Sequence, residues 1–384
     1  MTRLGSKLSF AEACEEVWYG HKTQVAETTL RRVTYENGRA AEAVSRQEAE
    51  MLYREAPTAE ARPKNMMVSV DGAYIHLTNG QWREVKTVAL GEFEREWAQT
   101  SWESQVKTHD ISYFSRSYRA RDFEYYALGE LHRRGLANAE TVVSVNDGAA
   151  VNQSFLDYHC LPAVRIIDFW HTTAYLAEAS KAVWGEGSDA CGQWLTQACH
   201  TLKHRPPQET VANLRLLLAK AKSEEQMAKI EAAVFYMQRR LQMMDYPHFR
   251  KQGYPIGSGS VESGHKVVVQ RRMKGAGMRW AEHNVDPMLA LRSVICSQRW
   301  EAVWQEIDHY RQEQRVVKQL ATAAARKPPP SVPLTFKSLK AAGLLAEDDE
   351  PSASQPPRSQ PWRPAPDHPW RNNKWPTREA WRWN

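Results

Sequence analysis

From Met66 the lettering of the chain becomes strand-like. Met66-Met67-Val68-Ser69-Val70 is a compact apolar run, and Gln81-Trp82-Arg83-Glu84-Val85-Lys86-Thr87-Val88-Ala89-Leu90 mixes apolar and polar residues along a second strand. Side chains alternate between the two faces of a strand, so such patterns predict elements with at least one buried face. Between the two runs stands Thr78-Asn79-Gly80, whose Asn-Gly pair favours the backbone of a tight hairpin turn. A third strand is expected near Ile111 to Phe114. Helix is expected over 121–136, strand over 141–145, helix over 151–158 and strand over 164–167.

Three strands in a meander, then helix, strand, helix and strand, predict an α/β fold: an RNase H-like mixed sheet flanked by helices, its first part spanning 63–172. Strand signals are missing from 173 to 252, where Met227, Ile230, Val234, Met237 and Leu241 recur at helical spacing behind Ser223 as N-cap. This segment reads as an all-helical insertion between the fifth strand and the second part of the fold, 253–318. Residues 1–62 read as helices only. A short helix, a break near Gly20 and a second helix carrying Thr28, Thr29, Arg31 and Arg32 are the lettering of a helix-turn-helix DNA-binding region, or of a plain helical hairpin. Residues 319–384 contain Lys327-Pro328-Pro329-Pro330 and Ser352-Ala353-Ser354-Gln355-Pro356-Pro357, and are expected to be a disordered tail because they offer too little apolar surface to bury.

The 384 residues leave room for more than one domain, and 51 lysines and arginines against 45 acids give a net charge of +6, which suits an anionic partner. The five cysteines, Cys14, Cys160, Cys191, Cys199 and Cys296, are scattered without a Cys-x-x-Cys pair, the usage of a reducing compartment rather than of a disulfide scaffold. With no signal-peptide core at Met1 to Lys7 and no apolar run of the ~18 residues that a membrane span needs, a cytoplasmic protein without a membrane partner is expected.

Three acids stand out. Asp71 and Asp147 close strand-like runs and each precede glycine, and Glu262 lies in Gly257-Ser258-Gly259-Ser260-Val261-Glu262-Ser263-Gly264-His265-Lys266 at the start of a helix. In the predicted order the first two lie at the ends of adjacent strands and the third beside them. One site would then hold three carboxylates, the donor set for hard divalent cations that clamp the attacking and leaving oxygens of a phosphodiester exchange. Singly, each acid has an ordinary role: Asp-Gly is a common turn, and an acid in a first helical turn is favoured by the helix dipole. Asp168 and His171, in Asp168-Phe169-Trp170-His171 after strand five, form a second pair. They could orient a nucleophile or cap a helix, and Asp168 rivals Asp147 as second metal ligand. Lys266, Arg271, Arg272, Lys274 and Arg279, interrupted by Gly275 and Gly277, form a basic run suited to DNA phosphates, as do Arg31 and Arg32. Cys191, Cys199, His200 and His204 match no standard zinc spacing, and helix packing accounts for them. Tryptophans Trp362, Trp370, Trp375, Trp381 and Trp383 interleave with basic residues at the end of the chain, a pattern for stacking on bases or for docking onto another protomer.

Val70-Asp71-Gly72, Asn146-Asp147-Gly148-Ala149, Asp168-Phe169-Trp170-His171, Ile256 to Ser263, and Arg272-Met273-Lys274-Gly275-Ala276-Gly277-Met278-Arg279-Trp280 together resemble bacterial insertion-sequence transposases of the ISKra type, within the DDE superfamily. The likeness spans roughly Phe10 to Val303, and His368-Pro369-Trp370-Arg371 resembles the family's C-terminal signature. It implies an RNase H-like core, Mg2+ with Mn2+ able to substitute, and cleavage and joining of double-stranded DNA at the element's terminal repeats by a homo-oligomer in a synaptic complex. It places the metal-binding triad on Asp71, Asp147 and Glu262, and the C/D-x-x-H motif on Asp168 and His171. Against that family the N-terminal region is short, which fits a missing upstream DNA-binding segment. The residues alone leave open an RNase H-like nuclease or resolvase that cuts without joining, a domesticated DNA-binding regulator, and, more remotely, a glycosidase using two of the carboxylates.

Overall fold

The computed structural model describes residues 1–98, 103–159 and 161–325. Of the tail expected from 319 to 384, residues 319–325 instead continue the helix that begins at Trp300, because the helical lettering runs on past Lys318; the rest, with its tryptophans, lies outside the described residues. Five strands, β1 (Asn65–His76), β2 (Trp82–Ala98), β3 (Glu103–Arg116), β4 (Thr141–Asn146) and β5 (Val164–Ile167), form one mixed sheet in the order β3-β2-β1-β4-β5. The first three are an antiparallel meander, and β4 and β5 add in parallel. The hairpin expected at Asn79-Gly80 is present, with Gly80 at φ +82° and Leu77 N–H donating to Gln81 O at 2.8 Å. A parallel addition needs a crossover rather than a tight turn. Helices α4 (Ala120–Arg133) and α5 (Ala150–Tyr158) supply the two that are required, and α1 (Thr2–Gly5), α2 (Phe10–His21) and α3 (Glu27–Glu55) precede the sheet.

The β2–β3 ribbon is longer than its apolar lettering predicts, pairing from Lys86↔Arg116 out to Ala98↔Glu103 through a register shift between Leu90 and Glu92. Its outer part, Glu92 to Glu96, carries alternating charge, so hydrophobicity alone conceals it. The two faces of the sheet use opposite members of each alternating run. Met66, Val68, Val70 and Val142 pack with Phe123, Leu128, Leu131 and Phe155 of α4 and α5. On the other side Met67, Val143, Val145 and Ile167 share a core with the helical insertion, α6 (Phe169–Trp184), α7 (Asp189–His204), α8 (Pro207–Leu218), α9 (Glu224–Gln238) and α10 (Tyr246–Gln252). The insertion is therefore seated on the β4–β5 side of the sheet.

After it come α11 (Gly259–Gly264), a π-helical stretch His265–Gln270 and α12 (Arg271–Met273), followed by α13 (Val285–Cys296) and α14 (Trp300–Ala325). The N-terminal helices belong to the same body as these: Phe10, Ala13, Val17 and Leu30 share a core with Val261, Val268, Val269, Met273, Trp280 and Val285. The long helix α3 lies so close to α13 that a Cβ at Gly38 would fall 2.6 Å from Pro287 O. An amphipathic pattern marks which face of a helix is buried but not which partner buries it. Among the described residues no helix is long and apolar enough to cross a membrane.

Candidate functional site

The site begins where two parallel strands part. The β1–β4 ladder ends at Val68↔Ser144. Beyond it the buried side chain of Asn146 stands in for backbone: Val70 N–H donates to Asn146 Oδ1 at 2.6 Å, and Asn146 Nδ2 donates to Ser144 Oγ at 2.6 Å. β1 continues alone beside β2, so Asp71 lies opposite Thr87 inside its strand rather than at the strand end that its Asp-Gly lettering suggests. Oδ1 of Asp71 accepts from Gly72 N–H at 2.7 Å, and Oδ2 lies 3.5 Å from His265 Nδ1. Burial pushes the Asp71 carboxyl above the usual carboxylate range. The Gly72 amide and His265 oppose that rise, and the nearby charges of Asp147 and Glu262 add to it. For His265, buried at 6 % exposure, burial lowers the imidazole against the pull of Asp71. Desolvation thus outweighs the mutual attraction of the pair on both partners.

Asp147 follows β4 in a turn where Gly148 takes φ +81°. Its Oδ1 accepts from Ala149 N–H at 2.8 Å and Asn152 Nδ2 at 2.7 Å, and its carbonyl accepts from the Tyr236 hydroxyl at 2.8 Å, so the insertion steadies the loop. Glu262 is exposed on α11. Asp71 and Asp147 line one cavity of about 160 Å³ together with Glu84, Lys86 and Glu124, and Glu262 lines a separate cleft of about 1300 Å³. Both Asp147 and Glu262 are near enough for their charge to bear on Asp71. Among the described residues, however, no group of three or more histidine, cysteine, aspartate or glutamate side chains is arranged to hold a metal ion.

Asp168 is a tie rather than an open ligand. It is buried at 3 % exposure and caps α6, with Oδ1 accepting from His171 N–H at 2.7 Å and Oδ2 from Ser258 N–H at 2.5 Å. Its own N–H donates to Asn146 O at 2.7 Å, and the next N–H, of Phe169, donates to Ile256 O at 2.9 Å. One residue therefore fastens the end of β4, the start of α6 and the turn ahead of Glu262. His171 is half-buried against the rings of Tyr175 and Tyr236. Replacing Asp168 with alanine is expected to destabilise the protein by about 3 kcal/mol, one helix cap plus a second stranded N–H. A thermal melt within a degree or so of wild type, of the order that a few tenths of a kcal/mol produce, would remove this positioning role.

The basic run divides. Lys266, Arg271, Lys274 and Arg279 are exposed, but Arg272 is not on a phosphate-facing surface. It is 3 % exposed, with its guanidinium within 4.8 Å and 5.1 Å of the Phe10 and Trp280 ring centroids and its Nε donating to Gly5 O at 3.1 Å. Burial pushes its pKa down to about 10. Arg31 pairs with Glu27 and Arg32 with Glu36, each partner one turn away along α3, so both cations already have carboxylate partners. Cys191 is buried on α7 and accepts from the Ser180 hydroxyl through its carbonyl at 3.0 Å.

Three contributors escape a reading by motif. His265 follows Glu262 at one-turn spacing, a signal that was available in the letters. Asn146 reads only as part of an Asn-Asp-Gly turn, and Glu124 of α4 reaches the Asp71 cavity through tertiary packing alone. The π-helical stretch after Glu262 is likewise silent in sequence, and such stretches are frequent at functional sites. No family model matches the chain, and no curated protein matches it.

Proposed function

We propose that the protein is a DNA transposase of the DDE type that cuts the phosphodiester at the ends of an insertion element and joins the freed 3′-hydroxyl to target DNA. The observation that carries this reading is that Asp71 and Asp147, from two neighbouring strands, line one cavity, and the charge of Glu262, from a third part of the chain, also bears on Asp71. The strand order β3-β2-β1-β4-β5, with the last carboxylate arriving after a helical insertion, supports an RNase H-like core. The donor set fits Mg2+ or Mn2+, because magnesium is usually held by one or two carboxylates with water and substrate phosphate completing the shell. Asp71 and Asp147 share a cavity, and Glu262, which lines a separate cleft, is near enough for its charge to raise the Asp71 carboxyl.

Asp71, Asp147 and Glu262 would hold the cations, whose charge stabilises the attacking and leaving oxygens of an in-line displacement. Asn146, Asp168 and His265 position those carboxylates, and Lys266, Arg271, Lys274 and Arg279 neutralise phosphates of the duplex. Protomers would assemble on two DNA ends, in the cytoplasm. The test is incubation of the full chain with Mg2+, a labelled fragment of the element end and a plasmid. Covalent transfer of label to the plasmid is the expected result. Cutting without transfer would identify a nuclease or resolvase instead, and binding without strand breakage a regulator.

A further inference from the structure

The cleft of about 1300 Å³ that opens onto Glu262 is walled by charge of the opposite sign. Arg95 of β2, Lys203 of α7, and Arg250 and Lys251 of α10 line it, against Glu262 as the acid on its rim. Because faces alternate along β2, Arg95 lines the cleft while Glu94 and Glu96 point to the other side. There Glu96 pairs with Lys107 at 3.2 Å, and Glu94 lies 3.7 Å from His109. Arg95 also donates to the carbonyls of Arg250 and Lys251 at 3.0 and 2.6 Å, fixing the end of α10 against the ribbon. The cations are thus held on a built surface that joins the insertion to the outer β2–β3 ribbon.

In the same cleft Trp170 is 70 % exposed, an unusual position for the largest apolar side chain on an otherwise ordered helix. It sits beside the turn that leads to Glu262, where a Cβ at Gly257 would meet its Cδ1 at 4.0 Å. We propose that this cleft takes one unpaired nucleic-acid strand, with a base stacked on Trp170 and the backbone phosphates following Lys203, Arg250 and Lys251. The assignment rests on the reading of Asp71, Asp147 and Glu262 as a phosphodiester site, because Glu262 lines the cleft. An indole platform discriminates strand from duplex. In a double helix both faces of each base are covered by neighbours, so only an unpaired or flipped base has a face to offer. Cations along one wall with an aromatic among them are the two parts that a single strand requires. This surface is separate from the exposed cations after Glu262, which the proposed function gives to the duplex.

Binding of fluorescent oligothymidylate and of a duplex of equal length to the full chain, with a chelator present so that nothing is cut, tests the assignment. Trp170→Ala should weaken oligothymidylate binding by about ten-fold with the salt dependence unchanged, and Trp170→Phe should recover most of the loss. Arg250→Ala with Lys251→Ala should lower the slope of log affinity against log salt by about 1.4 for the single strand, two phosphate contacts at the single-strand value. Duplex affinity should stay at the wild-type level in all three. Wild-type binding of oligothymidylate by Trp170→Ala, no binding by the unmodified protein, or equal losses for strand and duplex would each overturn the proposal. The outcome is independent of catalysis: strand binding that needs Trp170 in a protein that never cuts DNA would sink the transposase reading alone, and cutting by a protein indifferent to Trp170 would sink this one alone.

Discussion

Asp71→Asn, Asp147→Asn and Glu262→Gln are each expected to reduce cleavage and joining on the order of 10³-fold, while duplex binding and the fold persist. Each exchange keeps the size of the side chain and removes the charge that, on the proposed reading, would hold a divalent cation, and the effect of losing one fixed electrostatic partner of the reaction is of that order. Asp168→Asn and His171→Ala should lose less, since Asp168 has both oxygens on backbone amides and acts through the placement of Glu262. Asp71→Asn carries a second readout that does not depend on activity. Burial and two like charges raise the folded pKa of Asp71, so its ionised form is disfavoured in the fold relative to the unfolded chain. Wild type is therefore penalised at neutral pH, and the penalty fades as pH falls through the raised folded pKa and is gone below the ordinary aspartate value of 3.8. With a chelator present, Asp71→Asn should melt above wild type at neutral pH and level with it in acid. Cutting by all three variants at the wild-type rate would end the transposase reading. If Asp147→Asn cut while Asp168→Asn did not, the second carboxylate would have to be redrawn through Asp168.

What the letters made legible, and what they hid, follows from how local each determinant is. The β1–β2 turn rests on two adjacent residues, Asn79 and Gly80, and strand β5 on the short β-branched run Val164-Arg165-Ile166-Ile167, so both could be read directly. The apolar run Met66 to Val70 puts Asp71 near its site but misplaces it within its strand, because the end of a strand depends on its neighbours. β1 continues past Asp71 only because β2 still pairs with it after β4 has left. Arg272 is a different failure. Adjacent residues on a helix point about 100° apart, since a turn takes 3.6 residues, so Arg271 and Arg272 cannot share one face, while Arg271 and Lys274 can. Helical geometry alone separates the basic run into an exposed part and a residue aimed inward. What no local pattern supplies is the identity of the rings around Arg272, which come from Phe10 and Trp280, far apart in the chain. The joining of the N-terminal helices to the Glu262 segment is of this non-local kind as well.

Arg292→Met is expected to be the most damaging substitution away from the acids. Arg292 is 3 % exposed on α13 and donates to three backbone carbonyls: Nε to Val268 O at 3.2 Å, Nη1 to Ser6 O at 3.1 Å, and Nη2 to Val267 O in a short contact. Two of those carbonyls belong to the π-helical stretch that follows Glu262, and the third to the end of α1, so one guanidinium joins the N-terminal helices, α13 and the segment bearing the last carboxylate. Burial holds its pKa down, and the cation persists because carbonyl dipoles replace the lost water. Methionine would fill much of the volume and leave three carbonyls without this donor. A cost of about 3–5 kcal/mol follows, and the melting temperature should fall by roughly 10 °C. Arg272→Met is the matched comparison. It gives up a single backbone carbonyl, that of Gly5, while a flexible thioether remains able to sit between the Phe10 and Trp280 rings, and sulfur–aromatic contact is itself favourable. Its cost should be about 1–2 kcal/mol. Equal melting temperatures for the two variants would mean that the carbonyl cage contributes no more than the aromatic sandwich. A larger loss for Arg292→Met would place the anchorage of the Glu262 segment in that cage, and cleavage should then decline in the variant even at temperatures where it remains folded.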